Sequence, residues 1–314
     1  MTLTKKVFHI MPSHLLEKIL SRLSLEWELA PRLSAEERSA IENIHTVVIP
    51  LGSYRNLTTM TGAIYALHPN AIVLNHAWIR LGSKRSVDFL RDPNPATLAR
   101  FISAALRLAQ GGRTGDHGGS ILKSHAFRRG KVKQIYSERY GDQIIKPIAQ
   151  TLFWKESMRL LNHITDNRVQ LPAVVDALPQ LRFLLPVRHL VNCADSTLRT
   201  GHWRHLLNAG SVPSRDEVIG RLFDILLWFE QQRLQRPDKF MYFWEFDLSE
   251  NFLRSLCTFS GMPFDEQWSK DVLSTIAVEP KERLQTENAE LERHIETRLR
   301  DHAELAAKTR ALLL

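Results

Sequence analysis

The segment His45–His76, HTVVIPLGSYRNLTTMTGAIYALHPNAIVLNH, restricts the possible folds more than any other part of the chain. An apolar, β-rich run over Thr46–Leu51 stops at Gly52. A polar loop, Ser53–Thr59, follows, and a helical pattern then continues to Leu67. Strand, glycine, polar loop and helix start together make an anion cradle. The first helical turn leaves its N–H groups unpaired, and the positive end of the helix dipole faces the same spot. Arg55 adds a fixed, forked cation, and Thr58 and Thr59 add hydroxyls where a phosphate would sit. The expected guest is a phosphate ester.

The pattern GxxxxGK[ST] of ATP- and GTP-hydrolysing loops is not met. The loop has no second glycine and no Lys-Ser or Lys-Thr pair. A second anion grip is expected in LRFLLPVRHLVNCADS, Leu181–Ser196. An apolar run, Phe183–Val187, ends in Arg188, and Ser196 follows eight residues later on a helical pattern. An arginine at a strand end and a hydroxyl two turns into the next helix can hold one phosphate from two sides.

Both segments resemble motifs of the sulfotransferases that use 3′-phosphoadenosine 5′-phosphosulfate (PAPS). Gly52-Ser53-Tyr54-Arg55-Asn56-Leu57-Thr58-Thr59 is similar to their 5′-phosphosulfate loop, roughly G-x-P-R-S-G-T-T. Tyr54 replaces the usual proline and Leu57 the usual glycine. The strand–Arg188–Ser196 spacing is similar to their 3′-phosphate grip. Phe240–Trp268 resembles a late segment of the same family, with Glu245 and Asp247 read as structural. The resemblance spans about residues 45–270. It implies a P-loop-like sulfotransferase fold, PAPS as co-substrate, and 3′,5′-adenosine bisphosphate (PAP) as product.

Sulfuryl transfer needs a positioned acceptor, a base, and stabilisation of the leaving phosphate. Arg55 is the residue for the leaving group. Leu122-Lys123-Ser124-His125 resembles the Lys-Thr-His motif of the cytosolic sulfotransferases, which implies His125 as general base and Lys123 at the transferring group. An imidazole suits that task near neutral pH. Two alternatives stand beside it. Glu156, in Trp154-Lys155-Glu156-Ser157, would make the base a carboxylate, with Lys155 replacing Lys123; His76 ends the second strand. No Gly-rich basic segment of the cytosolic type is found near the C-terminus.

The expected fold is α/β, a parallel sheet flanked by helices on both faces, in one domain over 1–314. A helical preface covers 1–44, the α/β core 45–270 with a helical insertion at about 126–170, and a C-terminal helix 281–314. Strands are expected at 46–51, 71–75, 119–123, 183–187 and 241–244. Helices are expected at 58–67, from Pro95 to Gly111, and over 214–235. Ligands of such sheets bind at the strands' C-terminal ends.

Lys+Arg 42 against Asp+Glu 34 leaves a net charge of +8, but the basic residues are scattered. A doubly phosphorylated nucleotide accounts for that excess, and a nucleic-acid partner is not expected. No apolar run reaches membrane-spanning length, and Cys193 and Cys257 lie in apolar helical patterns. A cytoplasmic setting, no metal, and a hydroxyl or amine acceptor on a carbohydrate, lipid or small molecule are the resulting expectations. The stripe Leu284, Leu291, Ile295, Leu299 allows a partner helix and hence a homodimer. The competing readings are a nucleotide-dependent phosphotransferase and a non-catalytic nucleotide-binding protein of the same fold.

Overall fold

The computed structural model describes residues 39, 42–82, 84–111, 119–127, 130–207, 210–276 and 285–313. Six strands form one sheet: β1 (Thr46–Pro50), β2 (Ala71–Asn75), β3 (Gly119–Ser120), β4 (Thr151–Lys155), β5 (Leu181–Val187) and β6 (Phe240–Trp244). The order across the sheet is β3-β2-β4-β1-β5-β6. Every pairing is parallel except that of β3 with β2.

Thirteen α-helices lie among the described residues. They are α1 (Thr58–Leu67), α2 (Trp78–Leu81), α3 (Pro95–Gln110), α4 (Lys131–Tyr140), α5 (Met158–Asp166), α6 (Leu171–Ala177), α7 (Leu190–Thr200) and α8 (Trp203–Leu207). The chain continues through α9 (Arg215–Gln235), α10 (Glu250–Ser260), α11 (Glu266–Thr275), α12 (Gln285–Arg298) and α13 (Ala303–Arg310).

Strand side chains alternate between two cores, as the two-residue period requires. Val47, Ile49, Ile72, Leu74, Leu152, Trp154, Phe183 and Leu185 face one core, shared with α3, α5, α7, α9 and α12. Val48, Val73, Phe153, Leu184 and Phe243 face the other, shared with α1, α4, α10 and α11. Helices therefore cover both faces, as expected of a parallel sheet.

Four sequence expectations need correction or lie elsewhere. The segment around 126–170 is not a helical insertion. It contains α4, the central strand β4 and α5, and Leu152 sits in the strand, not on a helix face. Thr151–Lys155 is buried along its whole length. A short, continuous apolar run of this kind carries no two-residue alternation, so periodicity alone cannot tell it from buried helix. The strand expected at 119–123 is only Gly119–Ser120, antiparallel to β2, and 3-10 turns follow at Ile121–Lys123 and His125–Phe127. The C-terminal helix is two helices, and Leu291, Ile295 and Leu299 are buried within this chain. The helical preface, apart from residues 39 and 42–44, lies outside the described residues, as does Leu284.

Helix α1 is secured at its C-terminal end and uncapped by any side chain at its start. At its C-terminal end the buried Lys146 ammonium donates to the carbonyls of Ala66 (2.6 Å), His68 (2.7 Å) and Ala71 (3.0 Å). A cation at the negative end of a helix is favourable. Its N-terminal end opens onto the loop after β1.

Candidate active site

The loop between β1 and α1 turns through left-handed backbone. Gly52 has φ +111°, and a Cβ there would lie 2.6 Å from Leu185 Cδ1, so only glycine fits. Arg55 (φ 68°) and Leu57 (φ 56°) adopt the same region without being glycine. Leu57 is the N-cap of α1 and offers no side-chain hydrogen bond to the first turn. The first-turn N–H groups thus remain available to a ligand rather than to their own cap. Leu57 stands where the resembling motif has glycine, and its positive φ explains why glycine suits that place.

Two buried polar contacts tie this loop to β5 and α7. Asn56 Oδ1 accepts a 2.7 Å hydrogen bond from the Arg188 backbone N–H. Ser53 Oγ lies 3.5 Å from Cys193 Sγ, a thiol whose pKa burial pushes up. Arg55, exposed, donates from Nε to Ser196 Oγ at 2.9 Å. Arg188 Nε lies 4.0 Å from Glu245 Oε2. The ring of Tyr54 lies 4.8 Å from that of His202. Gly52 through Thr59, Arg188 and Ser196 therefore lie on adjoining strand ends and the helix after each. The two anion grips read from the sequence meet at the Arg55–Ser196 bond.

A second polar group lies at the C-terminal ends of β2 and β4, and β4 is β1's neighbour in the sheet. Lys155 Nζ, on a buried side chain, is 3.1 Å from Asn75 Oδ1 and 3.0 Å from His76 Nε2. His76 Nδ1 faces Glu156 Oε1 at 3.8 Å. Glu156 is buried; its Oε1 accepts from the Ser157 N–H, and its Oε2 has no hydrogen-bond partner. A buried carboxylate oxygen without a donor is costly, and a ligand donor would relieve it. The stem of Lys155 crosses α1 at Gly62, where a Cβ would come within 2.9 Å of Lys155 Cδ. This contact brings the lysine to the helix that follows the β1 loop.

Backbone strain concentrates at the same sheet edge. Among the described residues, five non-glycine residues have positive φ: Arg55, Leu57, His76, Ala77 and Arg168. Three of these five belong to the two groups just described, and Ala77 directly follows His76. Such strain gathers where a surrounding structure holds a functional geometry.

Lys123 and His125 follow the antiparallel strand β3. Both are exposed, on 3-10 turns that pack against α1. Strand β3 runs antiparallel, so its C-terminal end points away from the edge where the ligand loop lies. The strand-end argument for His125 therefore does not hold, whereas His76 and Glu156 both follow the C-terminal ends of parallel strands. Sequence reasoning overlooked Asn75 and Trp154. Nothing in their local pattern marks them until β4 is recognised as a strand.

Among the described residues no group of three or more His, Cys, Asp or Glu is arranged to hold a metal ion. No described helix is long and apolar enough to cross a membrane. No family model matches this chain, and no curated protein matches it. Eight chains of solved structures are similar to it, two sulfotransferase domains among them. One is a sulfotransferase domain from the Synechococcus PCC 7002 olefin synthase, at 15% identity over 72% of this chain and 76% of that one, TM-score 0.36. The other is a sulfotransferase domain from the curacin biosynthetic pathway, at 14% identity over 71% of this chain and 76% of that one, TM-score 0.36.

Proposed function

We propose that this chain is a sulfotransferase that moves a sulfuryl group from PAPS to a hydroxyl or amine acceptor. The observation that carries the reading is the Arg55–Ser196 hydrogen bond. It joins the loop that resembles a 5′-phosphosulfate site to the helix that resembles a 3′-phosphate site. The residues present suit a nucleotide with two separate anionic groups: an uncapped helix start, two guanidinium groups and a cluster of hydroxyls.

In this reading Arg188 and Ser196 hold the 3′-phosphate. Arg55, Thr58, Thr59 and the N–H groups of α1 face the 5′ side, where the leaving oxygen gains charge. The transfer breaks the sulfur–oxygen bond to the 5′-phosphate and forms one to the acceptor atom, which gives up its proton to a base. His76 is the better base. Its side chain is 21% exposed, so an acceptor can reach it, and Glu156 stands behind it to steady the imidazolium. Lys155 takes the role first given to Lys123; its turn from His76 Nε2 to the transferring group frees that nitrogen to take the acceptor's proton, while Nδ1–H faces Glu156. His125 remains the alternative. Two free, buried cysteines accord with a reducing, cytoplasmic setting.

Titration calorimetry with PAP, with and without Mg²⁺, tests the reading. Binding that does not depend on Mg²⁺ is expected. Binding that requires Mg²⁺ would favour a phosphotransferase. Absence of binding in both would overturn the nucleotide site itself.

A further inference from the structure

We propose that the buried indole of Trp154 is a positioning residue that holds His76 in a working orientation. The inference rests on the sulfotransferase reading for the purpose of that orientation, but not for the geometry that produces it.

His76 and the next residue, Ala77, are both left-handed, with φ 60° and 81°. Neither is glycine, so each loses energy by standing there. Something must hold the turn, and two hydrogen bonds from β4 do so. The His76 N–H donates to the Lys155 carbonyl at 2.9 Å. The His76 carbonyl accepts from Trp154 Nε1 at 2.5 Å. One peptide unit continues the sheet, and the next is caught by a side chain from the same neighbouring strand.

The indole is itself immobile. Trp154 is 3% exposed and packs on Phe101 at 4.8 Å. Trp78, just past the turn, stacks parallel to it at 6.3 Å. Gly82, the C-cap of α2, packs against Trp78, where a Cβ would come within 2.3 Å of the ring. The turn is therefore bracketed between a rigid indole and a wedged helix α2.

The orientation has a chemical consequence. Lys155 can only donate, so His76 Nε2 at 3.0 Å must accept, and the ring proton sits on Nδ1, toward Glu156. Rotation of the turn would break both relationships at once. Trp154 touches no reacting atom in this scheme; it acts through the backbone of His76.

The test reads the imidazole directly and needs no acceptor. Long-range ¹H–¹⁵N correlation spectra of the full chain report the tautomer of each histidine. The wild type is expected to show His76 protonated at Nδ1. Trp154→Phe keeps an aromatic ring and removes the N–H. The ratio of Nδ1–H to Nε2–H tautomers should fall about fivefold, as loss of one hydrogen bond implies. Should that variant fail to fold, benzothienylalanine at position 154 removes the N–H while keeping the ring's volume. PAP affinity should stay within about twofold in either protein, because the nucleotide grips lie on other strands. An unchanged tautomer ratio overturns the proposal. So does a changed ratio accompanied by lost PAP binding, which would mark general collapse. A wild type that shows the Nδ1–H form but does not bind PAP would sink the sulfotransferase reading and leave the indole's role standing.

Discussion

Arg55 Nε donates to Ser196 Oγ across 2.9 Å, linking a loop residue to a helix residue 141 positions further along the chain. The loop's cation is thereby fixed to the helix that follows β5. Arg188 stands beside them, its backbone fixed by Asn56 and its guanidinium near Glu245.

These partners should contribute unequally to nucleotide binding. Arg188→Ala is expected to weaken PAP binding by about 2–4 kcal/mol, as for a charged partner of a phosphate. Ser196→Ala should cost about 1 kcal/mol. Calorimetry measures both, and an arginine variant with wild-type affinity would remove the 3′-phosphate assignment.

Leu57 bears a strain that glycine would not. Leu57→Gly should remove roughly 1 kcal/mol of left-handed strain, partly offset by glycine's greater freedom when unfolded. The side chain would also leave the approach to the helix start. Tighter PAP binding is expected, with a melting temperature no lower than wild type. Weaker binding would mean that the leucine packs the loop into its working shape.

The two candidate bases can be separated by substitution. His76→Ala should lower turnover by about 10²–10⁴-fold and leave PAP affinity nearly intact. His125→Ala should change turnover little. Sulfuryl transfer from labelled PAPS to a panel of hydroxyl and amine acceptors gives the comparison, and the reverse pattern would move the base to His125.

Stability should fall in mild acid. His68 is buried, accepts at Nδ1 from the Asn70 N–H and meets the Pro263 carbonyl through Nε2. Burial, and then the charge of Lys146, lower its pKa from 6.5 to about 4. The unfolded chain therefore binds the proton first as pH drops. The contribution is complete above the unfolded pKa and disappears as pH falls through the folded one. A shift of this size corresponds to roughly 3 kcal/mol lost across that window. Urea denaturation at a series of pH values should show that slope, and His68→Gln should flatten it.

Much of this architecture is legible in the residues themselves. Gly52 after an apolar run, the polar loop before α1 and the apolar periodicity over 214–235 carry clear local signals, and each expected element is found there. Arg188 and Ser196 follow from a strand end and helical spacing. What stays hidden is what depends on neighbours. β4 lacks alternation because both its faces are covered, so Lys155 and Glu156 could not be placed at a strand end. β3 reads as a continuing strand, yet the chain turns into 3-10 helix after two residues. The left-handed turn at His76–Ala77 has no glycine to announce it.

The place of β4 also sets an order of assembly. β1 and β2 are consecutive strands in the chain, but they are not neighbours in the sheet; β4 lies between them. His76 has no mate until residues 151–156 have been synthesised and have threaded the gap, and the loop after β1 waits longer still, for Arg188 and Ser196. Parallel insertion of this kind is non-local and closes late. A nascent chain that stops short of Lys155 would expose two apolar strand edges and leave His76 without Lys155 and Glu156, so this polar group is withheld until the sheet's middle strand is home.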